Sequence, residues 1–411
     1  MSKRVLITGI SGFVGPLLAK KLLSLGYEVY GFYKRRADGY VPIRLRLLGL
    51  HNSIKLIEGD LSIMSSVIAS LRESEPDVVF HLGAQSFVPR SFKDPIETYH
   101  VNTMGTIYLL EGIRLLDLDS KFIFAGSSEE YGLQFIDKRH YQAMKEKYGI
   151  IYPEPEKLPE LPIDENNPLR PLSPYATSKV HGDFSTRNYY YSYGIKGIVS
   201  RAFNHEGPGR GPEFVTSAIV IQVLELIYGK RDYLRIGNVN AFRDWSHVND
   251  VIDAYILLSE KGNPGDVYVV GSRRTNSVLS FILLTLKEFG YITEKLETLD
   301  GSITVKDPIE ECGEKFFGLN FFKTKVDCML LQGELEFELK HKGIKLYTSK
   351  GTVTVKFDPS KFRPSDVPIL LSNPEKIMSL GWRINHSLSD IIKDQVAYYS
   401  DMELRKSIKP K

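Results

Sequence analysis

Val5-Leu6-Ile7-Thr8-Gly9-Ile10-Ser11-Gly12-Phe13-Val14-Gly15 is a short apolar, partly β-branched run that breaks into three glycines in register. The apolar run reads as a buried strand. Leu17, Leu18, Leu22 and Leu23, with Lys20 and Lys21 among them, predict an amphipathic helix ending near Gly26. Strand, glycine loop and helix in that order give the glycines a physical task. The first permits a tight turn, the second lets backbone approach a pyrophosphate, and the third lets the helix pack on the strand. The helix N-terminus then faces the anion. Gly9, Ser11, Gly12, Phe13, Val14 and Gly15 are therefore candidate cofactor-binding residues.

Further strands follow in order. Residues 28–33 read as the second. An acid at its end would suit the ribose of NAD, but Lys34, Arg35 and Arg36 stand there, which suits a 2′-phosphate and favours NADP. Residues 54–61 form a third strand ending in Gly59-Asp60-Leu61, where Asp60 can accept from an adenine amino group. Residues 77–84 form a fourth, and its small terminal residues, after Leu82 at Gly83 and Ala84, let a cofactor lie close to the backbone. A helix over 103–116 and a fifth strand over 121–126 complete an alternation that implies a doubly wound parallel sheet. Ligands bind at the carboxyl ends of such strands. Ser127, Ser128, Glu129, Glu130 and Tyr131 sit at one of those ends. Residues 133–162 are rich in charge and proline and read as an insertion with a helix over 138–148, either a lid or a surface excursion.

Tyr175-Ala-Thr-Ser-Lys179 places a phenol and an ammonium one helical turn apart, with Pro174 in the first turn and Ser173 as cap. A nearby positive charge favours phenolate, so the Tyr175 pKa is expected to fall from about 10. Such a pair suits moving a hydroxyl proton while hydride leaves the same carbon. The helix runs through Tyr193 to Gly194, and residues 195–202 read as a sixth strand. His205 has no second ligand spaced to join it, so no metal site is expected. Arg243 precedes a helix over 251–258 and suits a phosphate clamp. After a strand at 267–270, runs such as Glu334–Leu339 and Thr352–Phe357 alternate and predict antiparallel strands, with Glu334, Glu336 and Glu338 on a wet face.

The 411 residues are long for one domain and predict two lobes. A net charge of +3 gives no reason to invoke nucleic acid or an anionic membrane. Cys312 and Cys328 lack metal-ligand spacing, which points to a reduced cytoplasm. No apolar run reaches membrane-spanning length, and the N-terminus reads as a first strand rather than a signal peptide.

Thr-Gly-x-x-Gly-x-x-Gly at 8–15, Gly-Asp-Leu at 59–61, His-Leu-Gly-Ala-Gln at 81–85, Ser-Ser-Glu-Glu-Tyr-Gly at 127–132 and Tyr-x-x-x-Lys at 175–179 occur in the order found in extended short-chain dehydrogenases/reductases acting on nucleotide sugars, which the chain resembles. Within that group it is similar to the GDP-mannose 4,6-dehydratases at residues 84–88, at 203–206 with 214–216, and at 350–359 running into Phe362-Arg363-Pro364. It departs from them at Phe13-Val14, where they carry Gln-Asp, at Asn102 for an aspartate, and at Gly209 for the first of two arginines. The Phe-Val-Gly loop and Gly207-Pro208-Gly209 look more like the related GDP-4-keto-6-deoxy-mannose reductases. That reductase activity, or a 4-epimerase activity, is the alternative to dehydration.

The resemblance implies an α/β fold, a Rossmann domain over 1–202 and about 240–270 with the insertion 133–162. A smaller nucleotide-sugar domain over 203–239 and 271–411 would carry a β-rich insertion at about 302–340. It implies catalytic roles for Ser127, Glu129, Tyr175 and Lys179. Beyond the glycine loop it assigns cofactor contacts to Arg35, Arg36, Asp60, Leu61, Leu82, Gly83, Ala84, Gln85, Ser86, His205 and Arg210, besides Tyr175 and Lys179. Ser86, Ser128, Asn204, Val215, Asn238 and Arg243 would face the substrate. The implied cofactor is NADP, and helices 103–116 and 176–193 resemble those that build a homodimer, or a homotetramer, in this family.

Overall fold

The structure is a computed structural model that describes residues 2–34, 41–362 and 367–401. Apolar runs buried on both faces build its larger sheet; Val5, Leu6, Ile7, Val79 and Phe80 are fully buried. Seven parallel strands stand in the order Val267–Val270, Lys196–Ala202, Lys121–Ala125, Val78–His81, Arg4–Thr8, Glu28–Tyr33, Lys55–Glu58. Strand order reverses between Arg4–Thr8 and Val78–His81, which opens a crevice at their carboxyl ends. Helices cover both faces. Leu18 and Leu22 of Val14–Ser24 pack with Val251 and Tyr255 of Val248–Lys261 on one face. Val67 and Leu71 of Met64–Ser74 pack with Leu109 and Ile113 of Gly105–Leu115 on the other.

A second, five-stranded sheet has the order Thr304–Lys306, Thr293–Thr298, Gly343–Thr348, Gly351–Phe357, Leu234–Ile236. Its buried face packs against helices Val215–Ile227, Val278–Glu288 and Leu388–Ser400 around Trp245, Phe281, Leu346 and Val355.

Helix Pro174–Tyr193 forms as its ends dictate. The Ser173 hydroxyl accepts the Ala176 N–H at 3.0 Å, and Gly194, at φ 71°, ends it. Lys138–Tyr148 is a helix capped by Asp137. The helix expected over 103–116 is instead a π turn, His100–Met104, followed by Gly105–Leu115.

Three further expectations change. Glu334–Leu339 is not a strand, although Leu335 and Phe337 are buried and the three glutamates are exposed. The Phe337 N–H and carbonyl pair with the Asn240 side chain at 3.0 and 2.7 Å, so one amide replaces a strand partner. The segment expected to be β-rich, 302–340, holds one short strand, loops and the helix Lys325–Gln332. Cys312 and Cys328 are bonded to each other, which removes the unpaired thiols as ground for a reducing compartment.

The insertion 133–162 is fastened rather than hinged. Arg170 meets Glu160 through two bonds of 2.9 Å, and it also donates to the Leu133 and Pro153 carbonyls. Both side chains are almost fully buried. No residue of the insertion lines the cavities described below, which does not support the lid reading. Arg170→Ala leaves the Glu160 carboxylate buried and unpaired, and is expected to cost about 3–5 kcal/mol in urea unfolding. An unchanged midpoint would show that the pair holds nothing.

Candidate active site

At the crevice two backbones nearly touch. Gly9 has φ 73°, and a Cβ there would lie 2.8 Å from the Gly83 nitrogen. A Cβ on Gly15 would lie 2.5 Å from the Gly9 carbonyl oxygen, so helix and loop meet only because both residues are bare. Gly12 closes the turn by donating to the Gly9 carbonyl at 2.9 Å. A buried ladder fixes the strand ends. The Thr8 hydroxyl accepts the Gly83 N–H at 3.0 Å and meets His81 Nδ1 at 2.8 Å, while His81 Nε2 meets the Thr106 hydroxyl at 3.0 Å. Burial pushes His81 down to about 3, so its ring is neutral.

Below this crevice lies a cavity of about 890 Å³. Gly9, Ser11, Gly12, Phe13, Val14 and Gly15 line it, as do Leu82, Gly83, Ala84 and Ser86. Ser127, Ser128, Glu129, Tyr175 and Lys179 line it from the next strand end and the long helix. Asn204, His205, Arg210, Val215, Asn238 and Arg243 line it from the second sheet's side. An adjoining cavity of about 610 Å³ is lined by Lys34, Asp60, Leu61 and Gln85 and shares the Gly9, Ser11, Gly83, Ala84 and Ser86 wall. Every described residue expected at the site is thus brought to these two spaces. Arg35 and Arg36 lie outside the described residues.

The reactive groups are held from behind. Ser127 caps the turn Ser128–Glu130, and its own N–H donates to Glu130 Oε1 at 2.7 Å. Glu130 lies fully buried with Arg201 and Asp183; Arg201 Nε is 2.8 Å from Asp183 and 3.6 Å from Glu130. Burial, and then the Asp183 charge, push the Glu130 carboxyl up. Glu129 is also buried and faces the same cavity as Tyr175.

The Tyr175–Lys179 pair is one turn apart as expected, yet the expected fall in the phenol's pKa does not occur here. Burial pushes Tyr175 up to about 12, and a hydrogen bond with the Ser127 hydroxyl offsets only part of that. The Lys179 ammonium points elsewhere. It donates to the Ala125 carbonyl at 2.6 Å and lies 5.9 Å from the centre of the Tyr175 ring. Burial pushes Lys179 itself down to about 8, against the pull of Glu130. Desolvation disfavours both charged forms, so it outweighs one lysine at that range.

Around the pair, Asp60 keeps its charge. Burial would push it up, but the Lys34 ammonium at 2.7 Å and two bonds from Ser62 hold it down to about 2. Burial and then Arg210 push His205 down to about 4. Its Nδ1 meets the Phe203 carbonyl at 3.0 Å and its ring stacks on Phe13 with centres 6.4 Å apart. Arg243 is buried and donates to the Phe242 and Val367 carbonyls. Asn204 Oδ1 and Arg210 Nε are buried in the cavity wall without a hydrogen-bond partner. Among the described residues no cluster of acid, histidine and cysteine side chains could hold a metal, and no helix is long and apolar enough to cross a membrane.

Phe214, Trp245, Lys361 and Glu213 also line the cavity and had no expected role. Only a motif match marked Phe214 beforehand. The Glu130–Asp183–Arg201 cluster joins residues 53 and 71 apart from Glu130, a distance at which a sequence carries no pairing signal.

A family model described as GDP-mannose 4,6 dehydratase matches residues 6–395. A GDP-mannose 4,6-dehydratase of Vibrio cholerae serotype O1 is 34% identical over 417 residues, spanning 99% of this chain and 96% of that protein. Among solved structures, a dTDP-glucose 4,6-dehydratase from Bacillus anthracis in complex with NAD is 20% identical with a TM-score of 0.67, covering 99% of this chain and 100% of that one. RMD from Pseudomonas aeruginosa, complexed with NADPH, is 20% identical with a TM-score of 0.63, covering 97% of this chain and 99% of that one.

In the ligand-free protein the Tyr175 ring is expected to titrate near 12 and the Lys179 amine near 8. Ring-labelled tyrosine and side-chain lysine spectra, assigned with Tyr175→Phe and Lys179→Met, measure both. A Tyr175 midpoint below the ordinary value of about 10 would refute the dominance of burial.

Proposed function

The chain belongs to the GDP-mannose 4,6-dehydratase family of hydro-lyases, and from that premise we propose that it dehydrates GDP-mannose to the 4-keto-6-deoxy sugar nucleotide with NADP as cofactor. The observation that carries this is the buried Glu129 carboxyl facing the same cavity as Ser127, Tyr175 and Lys179. A reductase or epimerase needs the last three, whereas water loss also needs an acid/base at C5.

The residues fit a dinucleotide. The bare backbones at Gly9 and Gly83 leave room for a diphosphate, and the orphaned Asn204 Oδ1 and Arg210 Nε await polar partners. Gly9, Ser11, Gly12 and Gly15 would hold the diphosphate, Asp60 and Leu61 the adenine, and Lys179 the ribose beside the nicotinamide. When bound, that ring supplies a hydride acceptor at the sugar C4 and a hydride donor at C6. NADP is favoured over NAD by Lys34, which follows the second strand where a ribose-binding acid would stand.

Tyr175 is protonated in the ligand-free site and acts once it has lost that proton: as phenolate it takes the 4-hydroxyl proton, while Ser127 orients the 4-oxygen. The ketone so formed makes the C5 proton acidic. Glu129 removes that proton and passes it to the 6-hydroxyl, which leaves as water. The proton kept on Tyr175 balances the one C5 must regain. Asn204 and Arg243 would hold the sugar nucleotide's diphosphate, with Ser86, Ser128, Val215 and Asn238 along the same wall. The exposed apolar side chains of Phe184, Tyr191 and Ile96 support a homodimer, or a tetramer, built on the long helix.

One observation favours a second reading, the 4-keto reductase: Phe13-Val14 and the Gly207-Pro208-Gly209 loop. GDP-mannose with catalytic NADP+, followed by mass spectrometry, separates the two. The dehydratase gives loss of one water with no net cofactor change. An unchanged sugar, together with stoichiometric NADPH consumption on the 4-keto sugar, would replace it by the reductase.

Tyr175→Phe is expected to lower turnover by about two to four orders of magnitude while leaving NADP binding intact. Glu129→Gln is expected to allow C4 oxidation and to block water loss. Full dehydration by that variant would remove Glu129 from the mechanism.

A further inference from the structure

Glu130 is a buried acid that the reaction described above does not use. Its neighbour Glu129 lines the large cavity, whereas Glu130 lines neither cavity and is 0% exposed. Its Oε1 accepts the Ser127 N–H at 2.7 Å. Gly126 leaves room for that bond, since a Cβ there would lie 2.6 Å from the same oxygen. The Ser127 hydroxyl in turn accepts the Glu129 N–H at 3.2 Å and is hydrogen-bonded with Tyr175. One carboxyl oxygen therefore holds, from behind, the residue that meets the phenol.

The other oxygen, Oε2, is buried without a hydrogen-bond partner. Arg201 is the cation beside it, yet two of its nitrogens are committed elsewhere. Nε donates to Asp183 Oδ2 at 2.8 Å, and Nη1 donates to the Tyr131 hydroxyl at 3.2 Å and the Glu165 carbonyl at 3.1 Å. Oε2 is left 3.6 Å from Nε. Asp183 is fully buried and also accepts from Arg187 Nε at 2.7 Å. A buried carboxylate oxygen with no donor loses its hydration and gains nothing for it. A proton on the acid removes that cost. Oε2 then donates to the Asp183 carboxyl, which lies within hydrogen-bond reach. Burial, and then the Asp183 charge, favour the same neutral form.

The neutral form suits the reaction. Tyr175 acts as phenolate, and a Glu130 carboxylate raises the cost of that charge. A neutral acid spares the phenolate a second negative charge and still holds the Ser127 amide. The groups that face Glu130 are Asp183, Lys179 and Tyr175 from the long helix, Arg201 from strand Lys196–Ala202, and Tyr131 next to it in the chain. Arg187 stands behind Asp183, and Glu165 faces Tyr131.

We propose that Glu130 is a positioning residue that shares one proton with Asp183 and, through the Ser127 amide, fixes the hydroxyl against which Tyr175 forms its phenolate. It touches neither substrate nor cofactor. The inference rests on Ser127 and Tyr175 as the proton-moving pair, and not on whether the sugar is dehydrated or reduced.

The test compares the full-length wild type with Glu130→Leu and Glu130→Gln. Glutamine imitates the protonated acid, with an oxygen for the Ser127 N–H and an amide donor for Asp183. Leucine offers neither. Turnover is measured on GDP-mannose with catalytic NADP+, and on the 4-keto-6-deoxy sugar nucleotide with NADPH. Glu130→Leu is expected to lower kcat about ten- to a hundredfold while KM and the calorimetric affinity for NADP+ change less than about twofold. Glu130→Gln is expected to restore kcat to within about threefold of wild type. If the leucine variant does not fold, Glu130→Asp, which keeps an acid but draws it back from Ser127, is expected to lose kcat in the same direction. Wild-type kcat in the leucine or aspartate variant overturns the positioning role. A glutamine variant as slow as the leucine variant overturns the shared proton, because the charge would then be what counts. Carbon spectra of carboxyl-labelled glutamate and aspartate, assigned with Glu130→Gln and Asp183→Asn, read that proton without any substrate. One protonated carboxyl of the two is expected near neutral pH, and two ionised carboxylates overturn the proposal. A wild type that converts neither sugar refutes the proposed function, and the carboxyl spectra then decide for or against the shared proton by themselves.

Discussion

The approach of the Gly9 backbone to the Gly83 backbone is the constraint on which the cavity depends. Strands Arg4–Thr8 and Val78–His81 lie side by side in parallel, with Thr8 opposite His81, so their two loops leave the sheet at the same height. A side chain on either loop would push them apart. With none there, the loops share one wall, and the reversal of strand order beside them opens space below it. The hydroxyl of Thr8 and the neutral ring of His81 then hold the wall rigid with hydrogen bonds, adding no charge that a bound anion or cation would have to face.

Burial sets the chemistry of that space. Tyr175 and Lys179 both carry their neutral forms more readily than in water, because each charged form loses more hydration than the Ser127 hydroxyl or the Ala125 carbonyl and Glu130 replace. The pair is poised rather than already ionised. Charge is kept where an opposite charge touches it, as at Asp60 beside Lys34, and behind Ser127 the Arg201 guanidinium lies 2.8 Å from Asp183. The reactive face is left with groups that move protons, and the permanent ion pairs are set behind it or at its rim.

Much of the fold was legible because its cause is local. Glycine, a β-branched run and a cap act on their own neighbours, so the first strand, the loop at 9–15 and the limits of Pro174–Tyr193 could be read within a residue or two. The lines of the site were legible for the same reason, since strand ends in a parallel sheet converge wherever the strands do. What failed was pairing between distant segments. Glu334–Leu339 alternates like a strand, yet the amide of Asn240, 97 residues before Phe337, takes its backbone bonds. The bond between Cys312 and Cys328 and the two hydrogen bonds that Arg170 donates to Glu160 depend on loops brought together by the rest of the molecule.

The amino-acid order by itself determined a parallel α/β sheet, a tight glycine loop at the end of its first strand, and a phenol one helical turn from an ammonium, because sterics and helical geometry need no distant partner. Tertiary structure alone decided the electrostatic state of those groups. It put Lys179 on the Ala125 carbonyl, buried Tyr175, and carried Arg210 across from the second sheet onto Phe13. Desolvation is a property of everything that surrounds a side chain, and most of what surrounds these comes from far along the chain.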